Sequence, residues 1–340
     1  KRQIYFENPG AGAVTEHWER LIPEVTRNRG SFIRVFLADL TQDGKLEVIT
    51  PNKGAQNPTR EDPPRPISWF SIEGDPLDSD SWVEHELTRV PWPINSRPVD
   101  LDGDRDVDVV AGSTTEQRIM WFENLGRGNF AEHRIEISGS SVPEERQRPS
   151  DTGNTAAVNG FNMDFVDLSQ DGRLDIILVE SGNTFAWIEQ PMDLSGPWRI
   201  REIGTNWPDA ATGFVMTDII GDGHSDLIGG GYSRGPRDRD GDMDPLASMG
   251  RIAWFEHPGD AAGEWIRHDI SRRRRGMFDK FIPRDMDQDG DVDFVATRGN
   301  SAPYDGVFWL EQVRSSESLP SFEGARVSDS REAPLPDEAH

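Results

Sequence analysis

Cysteine is absent from all 340 residues, so neither disulfides nor thiol chemistry can hold or run this protein. Lysine is scarce, standing only at positions 1, 45, 53 and 280, and arginine supplies nearly all of the positive charge. The formal net charge is −25 and no basic stripe offsets it, which excludes nucleic acid as the main partner. No apolar run is long enough to span a membrane. Helical readings fail as well, because apolar residues cluster in short runs or alternate, with Gly and Pro between them. The chain also lacks a nucleophile elbow, a phosphate loop and a zinc motif.

What is present is repetition. An aspartate-rich loop recurs five times, each copy just before an apolar strand-like run. Counting from its first aspartate, oxygen donors stand at positions 1, 3, 5 and 9. The first copy has Asp39, Thr41, Asp43 and Glu47; the second has Asp100, Asp102, Asp104 and Asp108. The third has Asp167, Ser169, Asp171 and Asp175, and the fourth Asp218, Asp222 and Asp226, with Ile220 at position 3. The fifth has Asp285, Asp287, Asp289 and Asp293. Position 6 is a turn-forming Gly in every copy but the second, where Arg105 stands. Carboxylates converging from a tight turn, with a backbone carbonyl at position 7, are what a hard cation such as calcium requires. By this measure the fifth loop has the fullest donor set, the first and third carry a neutral hydroxyl, and the fourth lacks one ligand. A sixth acidic run, Asp238, Asp240, Asp242 and Asp244, interrupts the pattern inside a long insertion at 229–250 and has spacing for a further cation.

Each loop is followed by a β-rich run, such as Val107–Ala111 or Leu174–Leu178, and then by a second strand with an aligned aromatic. That strand reads Ile67-Ser-Trp-Phe70, Ile119-Met-Trp-Phe-Glu123, Phe185-Ala-Trp-Ile-Glu189, Ile252-Ala-Trp-Phe-Glu256 and Val307-Phe-Trp-Leu-Glu311, with Ile4-Tyr-Phe-Glu7 near the start. A third element reads Trp82-Val-Glu-His85, Phe130-Ala-Glu-His133, Trp198-Arg-Ile-Arg201 and Trp265-Ile-Arg-His268. The apolar stretch before each loop completes four short strands per unit. Four strands repeated at roughly 60-residue intervals are the sequence form of an all-β β-propeller. One such sheet cannot cover both of its faces, and ring packing solves that.

The order of loop, Trp-Phe-Glu strand and Trp-x-x-His strand resembles the FG-GAP/VCBS repeat family of calcium-binding propellers over residues 1–328. The resemblance implies that the cation loop joins the innermost strand to the next and that Asp39, Asp100, Asp167, Asp218 and Asp285 begin the sites. It implies a propeller domain over 1–328, with units at about 1–25 (partial), 31–90, 93–138, 160–204, 212–271 and 279–328, and a disordered tail at 329–340. Five complete repeats and a partial one lead to an expected six or seven blades. The opening at Lys1, inside a repeat, leads to the expectation of a processed or trimmed N-terminus. Calcium loops of this affinity suit an exported protein, extracellular or periplasmic.

Function is open, because family members include adhesion modules, lectins and sugar-processing enzymes. The histidines His85, His133 and His268 share one repeat position, which predicts packing or hydrogen bonding, not chemistry. The aligned tryptophans are expected to be spacers between blades. Departures from the repeat collect on the face opposite the metal loops. Arg34, Asn95, Asn162 and Lys280 occupy one aligned position five residues before a loop, and Trp207, Tyr232, Arg234, Arg272, Arg298 and Tyr304 lie in loops of the same face. Arginine and lysine converging there suit an acidic sugar. The leading expectation is a secreted, calcium-stabilised propeller that binds or processes carbohydrate. As an enzyme it would be a carbon–oxygen lyase or sugar dehydratase. Tyr232 or Tyr304 would move the proton, Arg234 and Lys280 would stabilise charge, and Arg34, Asn95, Asn162, Trp207 and Arg298 would hold the sugar. The alternative is a non-catalytic lectin-like or adhesion module with a protein partner.

Overall fold

The computed structural model describes residues 3–55, 58–59, 61–144, 156–233, 248–273, 276–299 and 305–315. It is all-β apart from two single-turn 3₁₀ segments, and its strands form meandering antiparallel sheets. The expected catalytic residues Arg234 and Tyr304, and the acidic run Asp238–Asp244, lie outside the described residues.

The chain divides into two compact units. The first comprises residues 1–136, 149–161 and 195–197. It opens with a two-stranded sheet of β1 (Tyr5–Phe6) and β2 (Arg20–Leu21). A four-stranded sheet follows: β3 (Phe36–Ala38), β4 (Glu47–Pro51), β5 (Arg65–Ile72) and β6 (Trp82–Val90). A second is built from β7 (Pro93–Val99), β8 (Asp108–Ser113), β9 (Arg118–Asn124) and β10 (Phe130–Arg134). Its core lies between sheets. Ile49, Ile67 and Trp69 of one sheet pack with Val109, Met120 and Phe122 of the next, and Tyr5 and Leu21 pack on Phe70 and Trp82.

The second unit holds the remaining strands. The short β11 (Ile137–Ser138) runs parallel to the edge of a sheet formed by β12 (Asp164–Val166), β13 (Asp175–Glu180), β14 (Thr184–Glu189) and β15 (Trp198–Thr205). Next come β16 (Phe214–Thr217), β17 (Asp226–Gly230), β18 (Gly250–Glu256) and β19 (Ile266–Arg273). A three-stranded sheet of β20 (Phe281–Arg284), β21 (Asp293–Arg298) and β22 (Gly306–Leu310) ends the described chain. Here too the apolar residues fill the space between sheets. Phe185 and Trp187 meet Phe214, Phe255 and Trp265, while Ile228 and Ile252 meet Phe281, Phe294 and Leu310.

The inner strands β4, β8, β13 and β17 read as almost continuous buried runs, which is why they carry Val, Ile and Leu without strict alternation. The sequence motif on the third strand has a local cause. Trp69 is paired across the ladder with His85, Trp121 with His133, Trp187 with Arg201 and Trp254 with His268. The histidine rings stack on the indoles with centroids 3.8, 4.6 and 4.1 Å apart, and the Arg201 guanidinium lies 5.6 Å from the Trp187 ring. The residue two places after the tryptophan holds the stacked group. Glu123 meets His133 at 2.7 Å, Glu256 meets His268 at 2.8 Å, and Glu189 accepts from Arg201 at 2.7 Å. The repeated Trp-x-Glu and Trp-x-x-His thus form one cross-strand clamp. Trp309 departs from the expected spacer role: it is 43% exposed, because no fourth strand stands beside β22 among the described residues.

Candidate cation loops and the opposite sheet ends

All five acidic loops lie between the first and second strands of a sheet, and their backbones share one form. Position 4 is left-handed in every copy, at Gln42, Gly103, Gln170, Gly221 and Gln288, with φ between 58° and 80°. Position 6 is left-handed too, at Gly44, Arg105, Gly172, Gly223 and Gly290, with φ from 79° to 94°. Two left-handed residues separated by one other reverse the chain tightly and turn its amides inward. The first aspartate then caps the turn: in the first loop its carboxylate accepts from the amides of Asp43 and Gly44 at 3.1 and 3.0 Å, and Asp167 does the same at 3.0 and 2.9 Å. Glycine at position 6 is legible in the sequence; the left-handed glutamines at position 4 carry no such signal.

At position 6 Arg105 bears a conformational cost that glycine spares the other loops, three of which bear a similar one at their position-4 glutamine. A side chain in this region costs about 1 kcal/mol relative to glycine. Arg105→Gly is therefore expected to raise the melting temperature of the ion-free protein by a few degrees in a calorimetric scan. An unchanged or lower midpoint would show that the arginine side chain contributes more than its backbone costs.

The ninth residue has two functions. Asp108, Asp175, Asp226 and Asp293 are all essentially inaccessible. One oxygen accepts from the amide of loop position 2, at Leu101, Leu168, Ile219 and Met286. The other accepts from the residue following the third strand's glutamate position, at Asn124, Gln190, His257 and Gln312, over 2.8–2.9 Å. This carboxylate ties the loop to the neighbouring strand. In the first loop the longer Glu47 reaches Leu40 N at 2.7 Å.

These carboxylates are buried among their own kind. Burial pushes Asp108 up to about 6, and burial likewise raises Asp102, Asp175, Asp226 and Glu47 above the ordinary carboxylate range. In the second loop, oxygens of Asp100, Asp102 and Asp108 lie within 4.8 Å of one another, and in the fifth those of Asp285, Asp287 and Asp289 do so. The donors are oxygen throughout, the ligand chemistry of calcium, and a divalent charge would offset the cost of burying these carboxylates. The fourth loop is the poorest fit. Ile220 offers no donor, and the ring of His224 stacks instead on His257 at 4.8 Å.

The residues expected at the opposite strand ends are partly engaged in holding the fold. In the first unit Arg34 lies over the Phe161 ring at 4.6 Å, and Asn95, fully buried, donates to the Phe161 carbonyl at 3.2 Å. In the second, Asn162 donates to Thr212 O at 2.6 Å and to Asp279 at 3.3 Å. Tyr232 is half-buried and bridges to Met277, which in turn pairs with Gly299. Lys280 is exposed, Arg298 closes β21, and Trp207 is 49% exposed. Arg272, expected in a ligand-facing loop, is instead buried. Its guanidinium forms a two-point pair with Asp209 at 2.7 and 2.9 Å, and Arg251 meets the same carboxylate at 2.9 Å. Asp209 has no sequence signature, because nothing local predicts that residues 209, 251 and 272 meet.

The molecule is thus a repeat protein of antiparallel sheets, each complete one carrying an acidic turn at the same place. Residues 100–178, from the first aspartate of the second loop into β13, match the family model of the FG-GAP-like repeat. No curated protein matches the chain. No helix among the described residues is long and apolar enough to cross a membrane.

Proposed function

We propose that the chain is an exported β-propeller of the FG-GAP type, braced by calcium at its acidic loops, and that it serves as an interaction module. The observation that carries this reading is the shared left-handed pair at positions 4 and 6 of all five loops. A common backbone imposed on unlike residues, glutamine or arginine included, is what a common ligand would demand. The loops lie at equivalent places in successive sheets, so their role is to stiffen the array, not to supply one catalytic centre. Isothermal titration of the chelated protein should give at least two calcium sites, and Asp285→Asn combined with Asp287→Asn should remove one. A flat titration would defeat the proposal.

A carbohydrate ligand at the opposite strand ends is the second reading. It is favoured by Trp207, half-exposed beside the fully buried Asn206 and Asp209, an aromatic surface held by rigid neighbours. A glycan array run with wild type and Trp207→Ala separates the readings: sugar binding lost in the variant supports it, and an array blank for wild type removes it. Lyase or dehydratase chemistry through Tyr232, Arg234, Lys280 and Tyr304 would require such binding first.

A further inference from the structure

The residue that follows the third strand's glutamate does more than tie down its own loop. In the first unit Asn124 is 2% exposed, and its side chain is fully engaged. Its backbone N–H donates to Asp108, the ninth residue of the second loop, at 2.8 Å. Its Nδ2 donates to Val107 O at 3.0 Å and, across to the first loop, to Leu40 O at 2.9 Å. Its Oδ1 accepts from Gly126 N at 2.9 Å, which fixes the orientation of the carboxamide. Leu40 in turn donates its N–H to Glu47, the ninth residue of the first loop, at 2.7 Å. One buried chain of hydrogen bonds therefore runs from the ninth carboxylate of one loop to that of the next, through Leu40 and Asn124. The second unit repeats it with a glutamine. Gln312 donates from its backbone to Asp293 at 2.9 Å and from its side chain to Ile219 O at 3.1 Å. Ile219 N–H then meets Asp226 at 2.9 Å. His257 stands at the corresponding place after the fourth loop, and its Nδ1 accepts from Gly259 N at 3.0 Å, so no carboxamide extends the chain there.

We propose that Asn124 is a positioning residue that couples the first and second acidic loops, so that calcium in one raises the affinity of the other. Gln312 is its counterpart between the fourth and fifth. An ion held by Asp108 immobilises that carboxylate and, with it, Asn124. The peptide groups of Leu40 and the carboxylate of Glu47 then have less freedom to lose when the first loop binds. Coupling of this kind acts equally in both directions. The inference rests on the calcium reading of the loops and adds to it a regulation of one site by the next.

Amide exchange on the intact protein, followed by mass spectrometry through a calcium titration, reports each loop separately. Asp102→Asn combined with Asp104→Asn disables the second loop and leaves Asp108 and Asn124 in place. The amide oxygens still accept from the turn, as the carboxylates do at the N–H groups of Asp104 and Asp106. The calcium concentration that half-protects residues 39–47 is expected to rise about fivefold in this variant. With Asn124→Ala also present, the same two substitutions should move it by less than about twofold. A purely structural asparagine would shift the midpoint when replaced but leave the response to the second loop intact. Residues 285–293, in the second unit, should keep their midpoint in every variant and so report that the fold is preserved. A first-loop midpoint that does not move when the second loop is disabled overturns the coupling. That comparison needs no change at Asn124, so it stands even where Asn124→Ala does not fold. A full shift that survives Asn124→Ala overturns the role of Asn124. Absence of protection in every loop at any calcium concentration strikes the calcium reading, and this inference with it, which is a different result from independent midpoints.

Discussion

Removing calcium with a chelator is expected to lower the melting temperature of the intact protein by about 10 °C. A site held at a hundredfold excess over its dissociation constant stabilises the fold by about 2.7 kcal/mol, and the second and fifth loops bring three carboxylates each within 4.8 Å. Two such sites, if filled, would contribute about 5 kcal/mol. For a chain of this length each kcal/mol moves the midpoint by roughly 2 °C. The ion-free state keeps the burden of its acids, as the elevation of Asp108 to about 6 by burial indicates. Asp285→Asn with Asp287→Asn should reproduce part of the loss and reduce the response to chelator. Superimposable melts with calcium and with chelator would remove the ion from the account of stability.

Asp209→Ala is expected to be the most damaging single substitution, costing about 3–5 kcal/mol in urea unfolding. Asp209 has no exposed surface, and it accepts from Met249 N at 2.7 Å as well as from Arg251 and Arg272. Its removal leaves the Arg272 guanidinium buried without its two-point partner. Among the described residues Arg251 retains Asp269, at 3.0 Å. The penalty comes from leaving buried charge less well compensated, not from losing an intrinsically strong bond. Replacing Asp209, Arg251 and Arg272 together by leucine and two methionines should therefore be milder than Asp209→Ala alone. A loss below about 1 kcal/mol for the single variant would mean that water or another acid reaches these arginines.

The repeat made much of this protein legible before any coordinates. Strands, acidic loops and a packing role for the aligned histidines all rest on residues close in sequence or on strands joined by one turn. Their spacing records the geometry directly. The β1–β2 pair was legible for the same reason, since Ile4–Glu7 copies a third strand and Trp18–Leu21 loosely copies a fourth. The parallel β11 was not, because it breaks the meander and joins β15, some sixty residues on. Trp309 was read as a spacer because its motif is intact; its exposure depends on what stands beside β22, which the motif does not encode.

By itself the sequence determined the all-β repeat, the placing of the acidic loops and the oxygen character of their donors. These follow from local periodicity and turn chemistry, which side-chain type and spacing dictate. Only the tertiary structure decided that Gln42, Gln170 and Gln288 are left-handed, that the ninth carboxylate ties each loop to the adjacent strand, and that Arg272 is buried on Asp209. These depend on residues far apart in the chain meeting in a packed interior, and long-range contact leaves no period to read.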